Sequence, residues 1–239
     1  MTDTPVRQTR SSGPRATAYP AHRVLLVVLA GAAGVLTGLV VALWVPLAQF
    51  DEMVVQSLNA QVAPHAELVT LLGAVTDVGS ETAVWVLTGV VVVAALLLRR
   101  YRAAGYLVAC WLLEFVVENG LKHGIGRPRP VVPVELVHAT TGSYPSGHTM
   151  GITVACVSVT VLLLGSVDRR WWRWLLVVGS LVVMAVVAAT RVLLAAHYPS
   201  DVVGAMLLGT VLALALVPIA GRPDELLSRP RTAASTSDG

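Results

Sequence analysis

The chain is poor in charge, with Asp, Glu, Lys and Arg making up 13% of its 239 residues. A soluble domain carries about 25%. So few charges cannot cover the surface of a water-soluble fold of this size. Intrinsic disorder is excluded as well, because 55% of the residues are hydrophobic and disorder needs the reverse balance. There are only two cysteines, Cys110 and Cys156, so neither a disulfide framework nor a cysteine-rich metal site is expected. The net charge of +3 comes without the basic stripe that nucleic acid requires. Lys122 is the sole lysine, and no Asn-x-Ser/Thr acceptor occurs.

Long apolar runs fill the space that charge vacates. A bilayer-crossing helix needs about 20 mostly apolar residues. Reading between charges gives six spans, at about 24–48, 82–100, 103–121, 147–167, 173–191 and 201–220. The third contains Glu114 and Glu118. The first is too long for the apolar region of a cleaved signal and is read as a retained helix. An all-α integral membrane bundle of six helices over 23–221 follows, with the lipid bilayer as its partner. Residues 1–22 and 222–239 are rich in Ser, Thr, Pro and Arg and read as flexible tails. Residues 51–80 are mixed in polarity and broken by Pro64, which predicts short amphipathic helices at the outer surface.

Arginine placement predicts orientation, since positive residues stay cytoplasmic in short loops. Thirteen of the 17 Lys and Arg residues lie before span one, between spans two and three, between spans four and five, or after span six. All four groups fall on one side if the spans alternate, which puts both termini in the cytoplasm of a multi-pass cell-membrane protein. The remaining four positives are Lys122, Arg127, Arg129 and Arg191. They sit at the opposite, outer helix ends, beside His148 at the head of span four and His197 and Asp201 at the head of span six.

Fixed cations at this place suit a phosphate, which arginine can hold through two parallel hydrogen bonds. Pro145-Ser146-Gly147-His148 opens span four, where free backbone N–H groups and the helix dipole favour an anion. Gly147 has no side chain to keep a phosphate from the backbone. His197 is followed four residues later by Asp201, which is placed to hold one ring nitrogen and leave the other free to attack phosphorus. His148 lacks a nearby carboxylate in sequence and is assigned to protonating the leaving oxygen. Arg127 reads as a headgroup contact or loop residue. Glu114, Glu118 and Lys122 are spaced four apart and share one helix face, so Glu118 is either a partner for Lys122 or, like Glu114, a carboxyl settled within the bundle. Cys110 and Cys156 read as packing residues. His65, His138 and Glu135 read as outer loop residues.

Three motifs bring a resemblance. Lys122 with Arg129-Pro130, Pro145-Ser146-Gly147-His148, and Thr190-Arg191 with His197 and Asp201 are similar to the signature of the type 2 phosphatidic acid phosphatase superfamily of membrane lipid phosphatases. Thr190 stands where that signature has Ser. Arg129 is in register with it and Arg127 is not. The resemblance implies a core shared with vanadate haloperoxidases and a reaction without metal or cofactor. It implies that Lys122, Arg129 and Arg191 hold phosphate with Ser146 and the backbone of Gly147. His197 would form a phosphohistidine, Asp201 would orient it, and His148 would protonate the departing group. The expected substrate is a lipid phosphate or diphosphate at the outer leaflet, with polyprenyl diphosphate first and phosphatidic acid or phosphatidylglycerol phosphate next. Transfer to another acceptor, and lipid binding or transport without catalysis, are the competing expectations.

Overall fold

The apolar runs become helices because hydrocarbon offers no hydrogen-bond partner to the backbone, and a helix satisfies its own. The computed structural model describes residues 18–220. Eight helices follow one another: α1 (Ala18–Val41), α2 (Val45–Val62), α3 (Ala66–Asp77), α4 (Glu81–Leu97), α5 (Tyr101–Ile125), α6 (Gly147–Leu164), α7 (Arg170–Leu193) and α8 (Pro199–Ala220). No strand occurs among the described residues.

Six segments are long and apolar enough to cross a membrane: Ala21–Val41, Ala66–Leu97, Tyr101–Ile125, Gly147–Leu164, Arg170–Leu193 and Pro199–Pro218. The chain is thus an all-helical, multi-pass membrane protein. Its outer surface is apolar, with Val27, Val90 and Val116 each more than 60% exposed. Such a surface suits lipid and would be an association liability in water.

The first expected span differs from the helix that forms. The run 24–48 does not make one helix: α1 stops at Val41, and the chain turns at Leu43, where φ is 50°. Pro46 explains the stop. It has no N–H to give a helix interior but fits the first turn of a new helix, and it occupies that place in α2. At the other end, α1 begins at Ala18, inside the stretch read as a flexible tail. The rest of that tail, 1–17, and the tail 222–239 lie outside the described residues.

Inside the bundle, α6 and α8 pack tightly at Gly209, where an added Cβ would stand 3.0 Å from Thr153 and 3.1 Å from the carbonyl of Met150. Small residues allow such contact in membranes, where dispersion and interhelical hydrogen bonds hold helices together. Two such bonds are Tyr106 to the carbonyl of Ala213 at 2.9 Å and Thr160 with Ser180 at 2.7 Å.

The short helices lie where 51–80 was expected to hold amphipathic segments. In α2 the buried residues are Asp51, Val55, Asn59 and Val62, one stripe at helical spacing. That stripe faces inward against α7, α8 and the loop 126–146. Asn59 donates to the carbonyl of Val134 at 2.9 Å, and Gln56 donates to that of Val131 at 2.7 Å. The loop is therefore propped from beneath by α2, at the end of the bundle where α5 and α7 finish and α6 and α8 begin.

Candidate active site

Four helix termini and the loop 126–146 build the site. Gly126 ends α5 with φ 60°, a left-handed turn that glycine adopts without a Cβ clash. The turn sends Arg127 and Arg129 back over the bundle. α7 ends in a similar reversal at Ala195, φ 53°, where the N–H groups of Ala196 and His197 both bond the carbonyl of Arg191 at 3.0 and 3.2 Å. A non-glycine residue in this conformation is strained, and here the strain delivers His197 to the site.

A cavity of about 440 Å³ opens at this end, and Lys122, Arg129, Gly147, His148, Arg191 and His197 all line it. Six of the eight site residues expected from the sequence therefore converge on one space. Ser146 and Asp201 stand behind it. Ser146 is fully buried and its hydroxyl accepts a bond from Thr149 at 3.1 Å. Its backbone N–H goes to the carbonyl of Asp201 at 3.3 Å. His138 also lines the cavity, paired with Glu135 at 3.0 Å, while His65 precedes α3 and does not.

The ring of His197 is 2% exposed and its orientation is fixed. Nδ1 lies 2.8 Å from the carbonyl oxygen of Ser143. A carbonyl only accepts, so Nδ1 carries the proton and Nε2 keeps its lone pair. Arg129 donates toward Nε2 from 3.3 Å. The role expected of Asp201 is thus shared: its carboxylate lies 3.6 Å from Nδ1, and the closer acceptor is the Ser143 carbonyl. Asp201 accepts from the Ser143 hydroxyl and, at 2.9 Å, from the N–H of Tyr198. Burial lowers the His197 pKa to about 4; the charges of Arg129 and Arg191 act in the same direction, and Asp201 opposes them.

Each cation that lines the cavity has its own support. Arg129 donates to the carbonyls of Thr141 and Ala196, both at 2.9 Å, and burial lowers its pKa. Arg191 is 4% exposed, donates to Thr76 at 3.3 Å, and keeps an unpartnered buried Nε. An orphaned guanidinium nitrogen beside the cavity is the donor an anion would satisfy. Lys122 pairs with Glu118 at 2.5 Å, one of the alternatives the helical spacing left open.

Gly147 has a different neighbour from the one expected. A Cβ there would lie 2.2 Å from Oε1 of Glu118 and 3.1 Å from Nζ of Lys122. The missing side chain makes room for the ion pair that holds Lys122. Thr190, in place of the family's Ser, turns its hydroxyl back to the carbonyl of Val187 at 2.7 Å and is buried.

Sequence reasoning missed a group of residues behind His197. Arg127 does lie in the loop, one of its two expected readings, but its side chain turns inward: it is 9% exposed and pairs with Asp201 at 2.5 Å and Asp51 at 2.8 Å. Its guanidinium lies 4.4 Å from the centre of the Tyr198 ring. Asp51 is fully buried and accepts from the backbone and hydroxyl of Ser200. An aspartate next to an apolar run was the available signal, but its partner lies 76 residues away.

Four acidic side chains, Asp77, Glu81, Glu114 and Glu118, line the same cavity. Among the described residues, no cluster of His, Cys, Asp and Glu is arranged to hold a metal ion.

Comparison with known proteins bears on the family and the fold. A family model described as the PAP2 superfamily matches residues 102–223. No curated protein matches the chain. The chain superposes on the crystal structure of a transmembrane PAP2 type phosphatidylglycerolphosphate phosphatase from Bacillus subtilis with a TM-score of 0.67 and 20% identity, covering 89% of this chain and 98% of that one. At that identity the likeness shows the fold.

Proposed function

The chain belongs to the PAP2 superfamily, and from that premise we propose that it hydrolyses a lipid phosphate through a phosphohistidine on His197. The observation that carries this reading is the convergence of Lys122, Arg129, Arg191, His148 and His197 on one cavity at the end of a membrane-spanning bundle.

In this reading Lys122, Arg129 and Arg191 hold the phosphate oxygens. The Nε2 lone pair of His197 attacks phosphorus, and the bond to the leaving oxygen breaks. His148 gives that oxygen its proton. Water then attacks the phosphoryl group on His197, His148 takes the water's proton, and inorganic phosphate leaves. The three cations stabilise charge spread over the equatorial oxygens in both steps. His197 supplies the nucleophile and the cations the electrostatics, so no metal is required. The tautomer set by Ser143 is ready for attack without a prior proton shift.

For the substrate, the family resemblance puts polyprenyl diphosphate before phosphatidic acid or phosphatidylglycerol phosphate. Two observations favour a monophosphate instead. The fold neighbour is named for phosphatidylglycerol phosphate, and a second phosphate in the cavity would meet the carboxylates of Asp77 and Glu81. The site faces the outer leaflet if the arginine-rich ends are cytoplasmic.

The test is a phosphate-release panel over these lipids in detergent, with and without a chelator. Release from at least one lipid, insensitive to chelator, is expected. Activity lost to chelator and restored by a divalent metal would contradict the metal-free mechanism. A phosphorylated acceptor without free phosphate would favour transfer. Cysteine at the exposed position 131 (80% exposed in the native Val131), in a variant lacking Cys110 and Cys156, should label from outside intact cells. Labelling only after permeabilisation would reverse the orientation.

A further inference from the structure

The buried group behind His197 forms one continuous hydrogen-bonded path. His197 Nδ1–H bonds the carbonyl of Ser143. The hydroxyl of Ser143 bonds Oδ2 of Asp201. The other oxygen of Asp201 takes Nη1 of Arg127, and Nη2 of Arg127 takes Asp51. Asp51 is then closed by the backbone and hydroxyl of Ser200, the residue before Asp201. Ser200 also accepts from Arg127 at 2.7 Å.

We propose that Arg127, gripped by Asp51 of α2, is a positioning residue that fixes Asp201, and through it the tautomer and aim of His197. The inference rests on His197 acting as the nucleophile. It extends the working site beyond the matched segment 102–223 to a helix that precedes it.

The physical case has three parts. First, Arg127 does not line the cavity, so its charge does not serve the substrate. Second, a guanidinium fork satisfies two carboxylates at once, whereas an ammonium is a single point charge. Asp51 and Asp201 are both fully buried, and two buried like charges bridged by nothing would repel. Third, Asp201 spreads its bonds over Ser143, Tyr198 and Arg127. Removing one changes both where the carboxylate points and how negative it is. Burial disfavours the charge on Arg127, but the carboxylates of Asp201 and Asp51 outweigh it and raise its pKa.

The charged and titratable groups around His197 are Asp201 from α8, Arg129 from the loop, Arg191 from α7 and His148 from α6. Removing Arg127 leaves all of them in place and takes away the cation that offsets Asp201. Protonated His197 then gains stability, and the acid limb of the rate profile moves to higher pH.

The experiment compares wild type, Arg127→Met, Arg127→Lys and the double variant Asp51→Asn with Arg127→Met. It follows phosphate release from the best lipid of the panel against pH, with active sites counted by orthovanadate titration. For Arg127→Met we expect kcat per active site to fall about 100-fold, the scale of a 1 Å misplacement. KM should stay within about threefold, since binding groups are untouched, and the acid limb should rise by about one pH unit. Arg127→Lys should keep the limb at its wild-type position and recover part of kcat. The double variant buries no unpaired Asp51 charge, so it should regain thermal stability while the limb stays displaced. If Arg127→Met yields no folded protein, the double variant is read for the same shift. A limb at the wild-type position in the folded variants, with any loss of rate matched by loss of titratable sites, would overturn the proposal. Failure of the wild type to release phosphate from any lipid would instead overturn the functional reading.

Discussion

Replacing Gly147 by Ala tests what the glycine in Pro145-Ser146-Gly147-His148 is for. The new Cβ would stand 2.2 Å from Oε1 of Glu118, inside the 3.0 Å that real Cβ contacts essentially never breach. Glu118 must therefore retreat by roughly 1 Å to restore contact. It is bonded to Lys122 at 2.5 Å, and Nζ of Lys122 is itself 3.1 Å from the new carbon. The lysine moves with its partner. The obstructing atom ends a flexible side chain, so folding should change by less than about 1 kcal/mol. Catalysis should change more, because a 1 Å displacement of a positioning charge can lower rate about 100-fold. The assay is kcat/KM for phosphate release in Gly147→Ala, Glu118→Ala and the double variant, with thermal midpoints. If the ion pair is the cause, adding Gly147→Ala to Glu118→Ala costs little further, a strongly non-additive cycle. If the glycine instead admits phosphate to the backbone, as the sequence alone suggested, the loss persists undiminished in the Glu118→Ala background. That result, or wild-type activity in Gly147→Ala, would refute the reasoning.

Other perturbations follow from the same geometry. His197 must be neutral to attack, and its pKa is lowered by burial from 6.5 to about 4, so kcat/KM should hold as pH falls below 6.5; a limb centred near 6.5 would contradict it. The sign for stability is opposite: unfolded chain binds a proton below about 6.5 that the folded site refuses until about 4, so the thermal midpoint should decline through that window. Gly204→Ala would put a Cβ within 2.5–2.8 Å of the Tyr144 ring and hydroxyl, a buried group with nowhere to go. Overpacking of this kind costs about 1–3 kcal/mol, and an unchanged thermal midpoint would refute the contact. Arg99 closes α4 at φ 57° with its side chain exposed. Arg99→Gly should relieve about 1 kcal/mol of left-handed strain and raise the midpoint by about 2–4 °C; a lower midpoint would count against it.

Much of the fold was legible because hydrocarbon imposes length and polarity on a spanning helix. Helices α4 to α8 begin and end within a few residues of the runs that charge spacing marked out, although the second apolar segment, 66–97, also takes in α3. The first was misjudged at Pro46, whose effect depends on whether the chain turns before it. The residues that meet at the cavity were legible because three short motifs carry His148, His197, Lys122, Arg129 and Arg191. What lies behind them was not. Arg127 is out of register with the signature, so nothing in its spacing pointed to Asp51 and Asp201, which are brought together only by the docking of α2 against α8. The same holds for Ser143, whose carbonyl takes the bond that sequence spacing had assigned to Asp201. The four-residue spacing of His197 and Asp201 put the pair in one neighbourhood and could not fix which oxygen is nearest. Gly147 was read as an approach for substrate because a sequence cannot show that Glu118 fills the space its side chain would take.

The account turns on His197 as the nucleophile, and trapping the intermediate tests that most directly. Lipid carrying radiolabelled phosphate is mixed with enzyme, quenched in alkali within one turnover, and the protein is digested and mapped. The predicted result is an acid-labile, alkali-stable phosphoryl group on the peptide containing His197. Turnover with no phosphoryl group on the protein, or with the label on His148, would contradict it.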